Sequence, residues 1–183
     1  MRLSALTAGR ILGHTTKIDG QRALVIEGSS GQSFGVVRPK PNEQRSRRRD
    51  PKTLGSILEA ADGSWFVPSQ QALLEKHRSV QDANGSEVAS IDVSLSSYVL
   101  HVPGGDVTWQ RHRAGRPRYS IDGLFAVSRT AMHTFVAGIS RTPFKGEITE
   151  ALTHRADASL VLLLGSWAAM SSIDIKVATR ANT

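Results

Sequence analysis

Apolar positions along this chain follow two patterns, and each predicts a different element. Through most of the first 150 residues they come in short runs, often alternating with polar residues, as in Tyr98, Leu100 and Val102 of Ser97 to Val102. Alternation of this kind places one side of a strand against a core and the other against water. From Ala158 to Ile173 the pattern changes to an unbroken stretch without a charge, rich in Leu, Ala and Met, with Val161 its only β-branched residue before Ile173. That composition favours helix over strand. Leu160, Leu164, Trp167 and Met170 share one side, while Val161, Leu162, Leu163, Ala168 and Ala169 cover much of the rest, so such a helix needs walls all round it. Asp157 is its expected N-cap, and Lys176 and Arg180 follow its far end.

The walls are expected from the preceding strands. Asp19-Gly20 separates two apolar segments and predicts a hairpin, and Ser33 to Val37 predicts a third strand. A basic loop insertion is expected over 39–51, where the only apolar residues are prolines. Thr53 to Ala61 is of open type. Ser64-Trp65-Phe66-Val67 reads as strand, residues 69 to 76 suit either two helical turns or a strand entering at Leu73, and Asn84-Gly85 supplies the positive φ angles of a tight hairpin between His77–Gln81 and Glu87–Val93. A further hairpin turns at Pro103 to Asp106. Strands are then expected at Tyr119 to Ile121, Leu124 to Val127, Thr134 to Ile139 and Gly146 to Leu152. The count predicts a mainly β (α+β) domain over 1–183: a closed antiparallel barrel of about 12 strands around a buried hydrophobic C-terminal helix, 157–173.

Charge changes this picture by suggesting a partner. Lys and Arg number 23 against 16 Asp and Glu, for a net charge of +7. The surplus is concentrated in two segments: Arg38 to Lys52, which contains Arg45, Arg47, Arg48, Arg49 and Lys52, and Gln110 to Arg118, which contains Arg111, Arg113, Arg116 and Arg118. The rest of the chain is net negative. Clustered arginines favour polyanions, because the guanidinium fork matches phosphate geometry. Anionic phospholipid or phosphoinositide head groups are the first expectation, and non-specific binding of nucleic acid through the same clusters is the alternative. Trp109 and Tyr119 flank the second cluster and are expected to be inward core residues, as are Trp65 and Trp167.

Motifs for chemistry are lacking. There is no Cys, no G-x-S-x-G and no H-E-x-x-H; Gly9 to Lys17 lacks the Gly-Lys-Ser/Thr of a phosphate loop; and the histidines at 14, 77, 101, 112, 133 and 154 never pair at i, i+4. The expectation is a chain with no catalytic residues, cofactor or metal site, an enzyme with a scattered His, Asp and Ser site being the lesser alternative. His101 is expected to be an outward or edge side chain, and His154 to Asp157 to end a strand and cap the helix. Residues 1 to 16 contain no apolar run of signal-peptide length, and the terminal apolar stretch is shorter than the ~20 residues of a comfortable membrane span. A cytoplasmic protein, peripheral at the membrane, is expected.

Several segments are similar to the tubby-like barrels, and within them to the LURP-one-related and phospholipid scramblase-like proteins. These are Ser64 to Val67, Ser79 to Ile91, the Asp-led apolar ending Asp157 to Asp174, and Phe125 to Arg129 leading into Thr134 to Arg141, in which Val136-Ala137-Gly138-Ile139 resembles a family hairpin. The likeness spans residues 20 to 175. It implies strands wrapped around a hydrophobic C-terminal helix, and a non-enzymatic module, some members of which bind anionic lipid. The basic insertion has no counterpart in that pattern. Ile173-Asp174-Ile175 offers a single carboxylate where Ca²⁺ takes roughly 6 to 8 oxygens, so calcium-driven scrambling is not expected.

Overall fold

Alternating side chains and turn residues produce a meander in which each strand pairs with the one before it. The structure, a computed structural model, describes residues 2–40, 55–68, 77–93, 97–112, 118–121, 123–129 and 144–168. Its strands are β1 (Gly9–Ile18), β2 (Gln21–Gly28), β3 (Ser33–Lys40), β4 (Gly55–Ala60), β5 (Gly63–Pro68), β6 (His77–Gln81), β7 (Glu87–Val93), β8 (Ser97–His101), β9 (Val107–His112), β10 (Arg118–Ile121), β11 (Phe125–Arg129) and β12 (Phe144–Ile148). All neighbouring pairs are antiparallel. Strand β1 pairs with β2 from Ile11–Gly28 to Ile18–Gln21 and with β12 from Gly9–Ile148 to Gly13–Phe144. The thinnest junction is β5 to β6, where Phe66 and Gln81 are the pair in register. A short helix, α1 (Glu150–Thr153), follows β12, and a second helix, α2 (158–168), ends the described chain.

The expected mainly β architecture with a C-terminal helix is present. Inward positions of the strands, among them Ile11, Ile26, Leu58, Val67, Val80, Ile91, Leu100 and Trp109, form one core with Leu160 to Leu164, Trp167 and Ala168 of α2. Helix α2 is buried on every side: Val161, Leu163, Leu164, Ser166 and Ala168 are fully covered. Its close fit to the sheet depends on Gly35 of β3, where a β-carbon would come within 2.6 Å of Leu163 Cδ2 and 3.0 Å of the Glu59 carbonyl oxygen. Trp65 packs against this core part-buried, and Trp109 and Trp167 lie within it. A smaller apolar cluster of Ala23, Val25 and Val36 sits on the outer face under Leu3 and Ile18. The N-terminal segment is held there by a parallel bridge from Leu3 to Ser33.

Local details depart from the expectations in physically instructive ways. The Asp19-Gly20 hairpin forms with φ of 50° and 78°, the two positive angles of the tight turn. At Asn84-Gly85 only Gly85 takes a positive φ. That connection is longer, because Asp82 Oδ1 accepts from the amides of Asn84 and Ser86 and thereby replaces the two-residue turn. Pro39 and Lys40, expected in the basic loop, pair as strand with Ser56 and Gly55. Proline fits because it stands near the end of the strand. The last strand is Phe144–Ile148 rather than Gly146 to Leu152, and His154 is the C-cap of α1 rather than the end of a strand. Asp157 precedes α2, and its carbonyl accepts from Val161 N at 3.0 Å, as an N-cap carbonyl does. Its carboxylate, however, is engaged elsewhere, by Gly104 and Arg155. Residues 69–76, the expected strand at 134–139 and the end of the expected helix, 169–173, lie outside the described residues.

Candidate functional site

Strand direction decides where charges gather. Because every neighbouring pair is antiparallel, the ends of the odd strands and the starts of the even strands share one end of the sheet. Lys40 and Gly55, which flank the first arginine-rich segment, and His112 and Arg118, which flank part of the second, therefore stand at the same end. Of the expected binding residues, Arg111 lies on β9 opposite Tyr119, and Arg118 opens β10 opposite His112. Arg45, Arg47, Arg48, Arg49, Lys52, Arg113 and Arg116 lie outside the described residues.

Other described residues sharpen this polarity. Towards the end that carries Lys40 lie Lys17, Arg22, Arg38, Arg78, Arg129 and Lys145, against Asp19 and Asp92. Towards the opposite end lie Glu27, Glu59, Asp62, Asp82, Glu87, Asp106, Glu147, Glu150 and Asp157, against Arg2, Arg10 and Arg155. Among the described residues the fold thus has a basic end and an acidic end. Helix α2 runs between them. Its Asp157 side contacts the β8–β9 turn at the acidic end, and Trp167 Nε1 donates to Ser56 Oγ of β4 at the basic end, at 3.0 Å.

Two cations at the basic end lie on aromatic rings. Lys40 Nζ is 4.5 Å from the centroid of Phe66, and the Arg78 guanidinium is 5.1 Å from that of Trp167. Such contacts favour a cation that keeps its charge while its stem covers apolar surface. Midway along the outer face, Arg38 Nε and Nη2 donate to Glu59 Oε2 and Oε1 at 3.0 and 2.8 Å, a bidentate pair. Hydrogen bonding from Arg38 holds the Glu59 carboxyl below its ordinary range. An outer-face groove of about 660 Å³ lies beside this pair, with Leu3, Ile18 and Val36 among its lining residues and Glu59 and Asp62 at its polar side.

A polar line that sequence spacing did not reveal crosses the outer face of β6, β7 and β8. His77 Nδ1 lies 2.7 Å from Asp92 Oδ1, His101 Nε2 3.2 Å from Asp92 Oδ2, and His101 Nδ1 2.9 Å from Asp106 Oδ1. His101 does point outward, as expected, but between two carboxylates. No i, i+4 spacing links these residues, because His77 and Asp92 are cross-strand partners in register. Register was the missing signal. Among the described residues no group of His, Cys, Asp or Glu is arranged to hold a metal ion, and no helix is long and apolar enough to cross a membrane. Comparison with protein-family models, with curated proteins and with solved structures finds no match to this chain.

Proposed function

We propose that the chain is a non-enzymatic binding module that associates peripherally with anionic phospholipid, its basic end towards the head groups. The observation that carries this reading is that the strand ends flanking both arginine-rich segments stand at one end of the sheet, together with Lys17, Lys40 and Arg78. Each cation near an anionic leaflet contributes on the order of 1 kcal/mol, so several on one end are enough for reversible binding where one is not. The Phe66 ring, capped by Lys40, suits an interface better than the open stacking platforms that single-stranded nucleic acid uses. The ring of pairings around a buried helix supports a closed barrel of the tubby-like kind, LURP-one-related or scramblase-like, as the scaffold. A cytoplasmic location belongs to the same reading.

Flotation with vesicles of phosphatidylcholine alone, and of phosphatidylcholine with phosphatidylserine or phosphoinositide, tests it. The protein is expected to float with the anionic vesicles at low salt, to be released by added salt, and to lose binding in R111E/R118E and in R47A/R48A/R49A. Equal partition onto neutral vesicles overturns the reading. So does tight, salt-dependent binding to duplex or single-stranded DNA without vesicle binding, which would assign the same arginines to nucleic acid.

A further inference from the structure

His101 ends β8 with each ring nitrogen facing a different carboxylate, Asp92 on β7 and Asp106 in the turn that follows. A neutral imidazole has one N–H and one lone pair, so only the imidazolium donates to both. Removal of its proton turns a ring lone pair towards one of the two carboxylates. The turn concerned, 102–106, is also gripped from the other side. Gly104 N donates to Asp157 Oδ2 at 2.7 Å, and Arg155 Nη2 donates to the Gly105 carbonyl at 3.1 Å. Arg155 Nε and Nη2 donate in turn to Asp157 Oδ1 and Oδ2 at 2.8 and 3.0 Å. A side chain at Gly104 would displace this grip, since a β-carbon would stand 2.7 Å from both Arg155 Nη2 and Asp157 Oδ2. Since the Asp157 carbonyl accepts the first bond of α2, the turn is joined directly to the start of the buried helix.

We propose that His101 is a proton-operated clasp: its imidazolium, spanning Asp92 and Asp106, ties to β7 the 102–106 turn that Arg155 and Asp157 hold at the start of α2, and loss of that proton leaves one of the two bonds and unties the turn from β7. The titratable and charged groups around the ring and its turn are Asp92 and His77 from β7 and β6, Asp106 from the turn, and Arg155 and Asp157 from the segment before α2. Arg155 and Asp157 provide the constant grip. Burial pushes the Asp157 carboxyl up, but Arg155 and the Gly104 amide together outweigh it and hold the carboxyl below the ordinary carboxylate range. His101 is the variable one: Asp106 first and Asp92 second raise it above its ordinary value of 6.5, against a smaller opposing effect of desolvation. A raised imidazolium gives full grip below 6.5 and releases it as pH rises through the raised value. The clasp is closed between about pH 4 and 6.5, where the carboxylates are ionised and the ring is protonated, and alkali opens it. The device stands independently of the lipid reading, since it rests on β6 to β8 and the approach to α2.

Two measurements on the full chain test it together: the ring-nitrogen NMR titration of His101, and amide hydrogen exchange at Gly105 and Val107 between about pH 5 and pH 9, corrected for base-catalysed exchange. His101 is expected to titrate above 6.5, with protection at Gly105 falling roughly two- to fivefold through the same midpoint, the fold-change of one exposed ion pair. D106N is expected to lower the midpoint and H101Q to abolish the step, each with the rest of the exchange pattern unchanged. Titration of His101 at or below 6.5 overturns the proposal, as does a Gly105 profile that ignores the titration or persists in H101Q. A global loss of protection in H101Q is resolved by D106N, which keeps the ring and must still move the midpoint.

Discussion

Trp167 Nε1 donates a hydrogen bond to Ser56 Oγ at 3.0 Å, joining the far part of helix α2 to the second residue of β4 across 111 positions of sequence. The contact adds a directional restraint on how far the helix slides along the interior, beside the close fit of Leu163 against Gly35. Ser56 supplies the acceptor a buried indole needs, without which a desolvated N–H is left unmet. Ser56→Ala is therefore expected to cost about 1 to 3 kcal/mol and Trp167→Phe more, through lost volume as well. Urea unfolding of the two single variants and the double variant checks this. A coupling energy near zero would mean that the bond does not hold the helix in place.

Helix burial and the glycine that permits it make a linked prediction. Leu163→Ala is expected to lose about 2 to 5 kcal/mol, and Leu163→Asp to leave the chain unfolded, since a domain of this size has only ~5 to 15 kcal/mol in hand. Gly35→Ala alone is expected to lose about 1 to 3 kcal/mol, because the new methyl meets Leu163 Cδ2. Combined with Leu163→Ala it should cost less than it does alone. Denaturation midpoints of the three variants decide the matter, and strict additivity would place Leu163 elsewhere than against Gly35.

Acid sensitivity follows from the carboxylates held low by their partners. Glu59 is lowered from 4.5 by Arg38, and Asp92 from 3.8 by His77 and then His101. A depressed carboxyl contributes stability above its unfolded value and loses it as pH falls through the folded value. The His101 contribution is instead complete below 6.5 and lost above it. The outer-face line of His77, Asp92, His101 and Asp106 should therefore support the fold most between about pH 4 and pH 6.5. Thermal melts of the native chain against D92N and H101Q across that range should differ most inside it. Convergence there and divergence at pH 9 would be the wrong sign.

The grip on the β8–β9 turn is asymmetric between its partners. Asp157 is almost completely covered, with its side chain 4% exposed, and Arg155 retains 19%. Removing the carboxylate strands an arginine and the Gly104 amide, whereas removing the arginine leaves an anion still met by that amide. Asp157→Ala should cost about 2 kcal/mol, between the surface and buried limits, and Arg155→Ala less. Chemical denaturation orders the two, and the reverse order would contradict the geometry.

Short alternating runs, glycine turns and one uncharged stretch were enough to foretell an antiparallel β chain with a buried terminal helix, because burial on one face or on every face imprints a local period on the sequence. Asp19-Gly20 even marked its own hairpin. Pairing partners were not legible in this way. That Lys40 and Arg118 share an end depends on strand directions accumulated from β3 to β10, and that His101 lies between Asp92 and Asp106 depends on register and on the turn that follows β8. Outward polar residues have no periodic signature, since water accepts them in any order. Only the tertiary structure could separate the acidic from the basic end, or turn the Asp157 carboxylate from the helix it precedes towards Gly104 and Arg155.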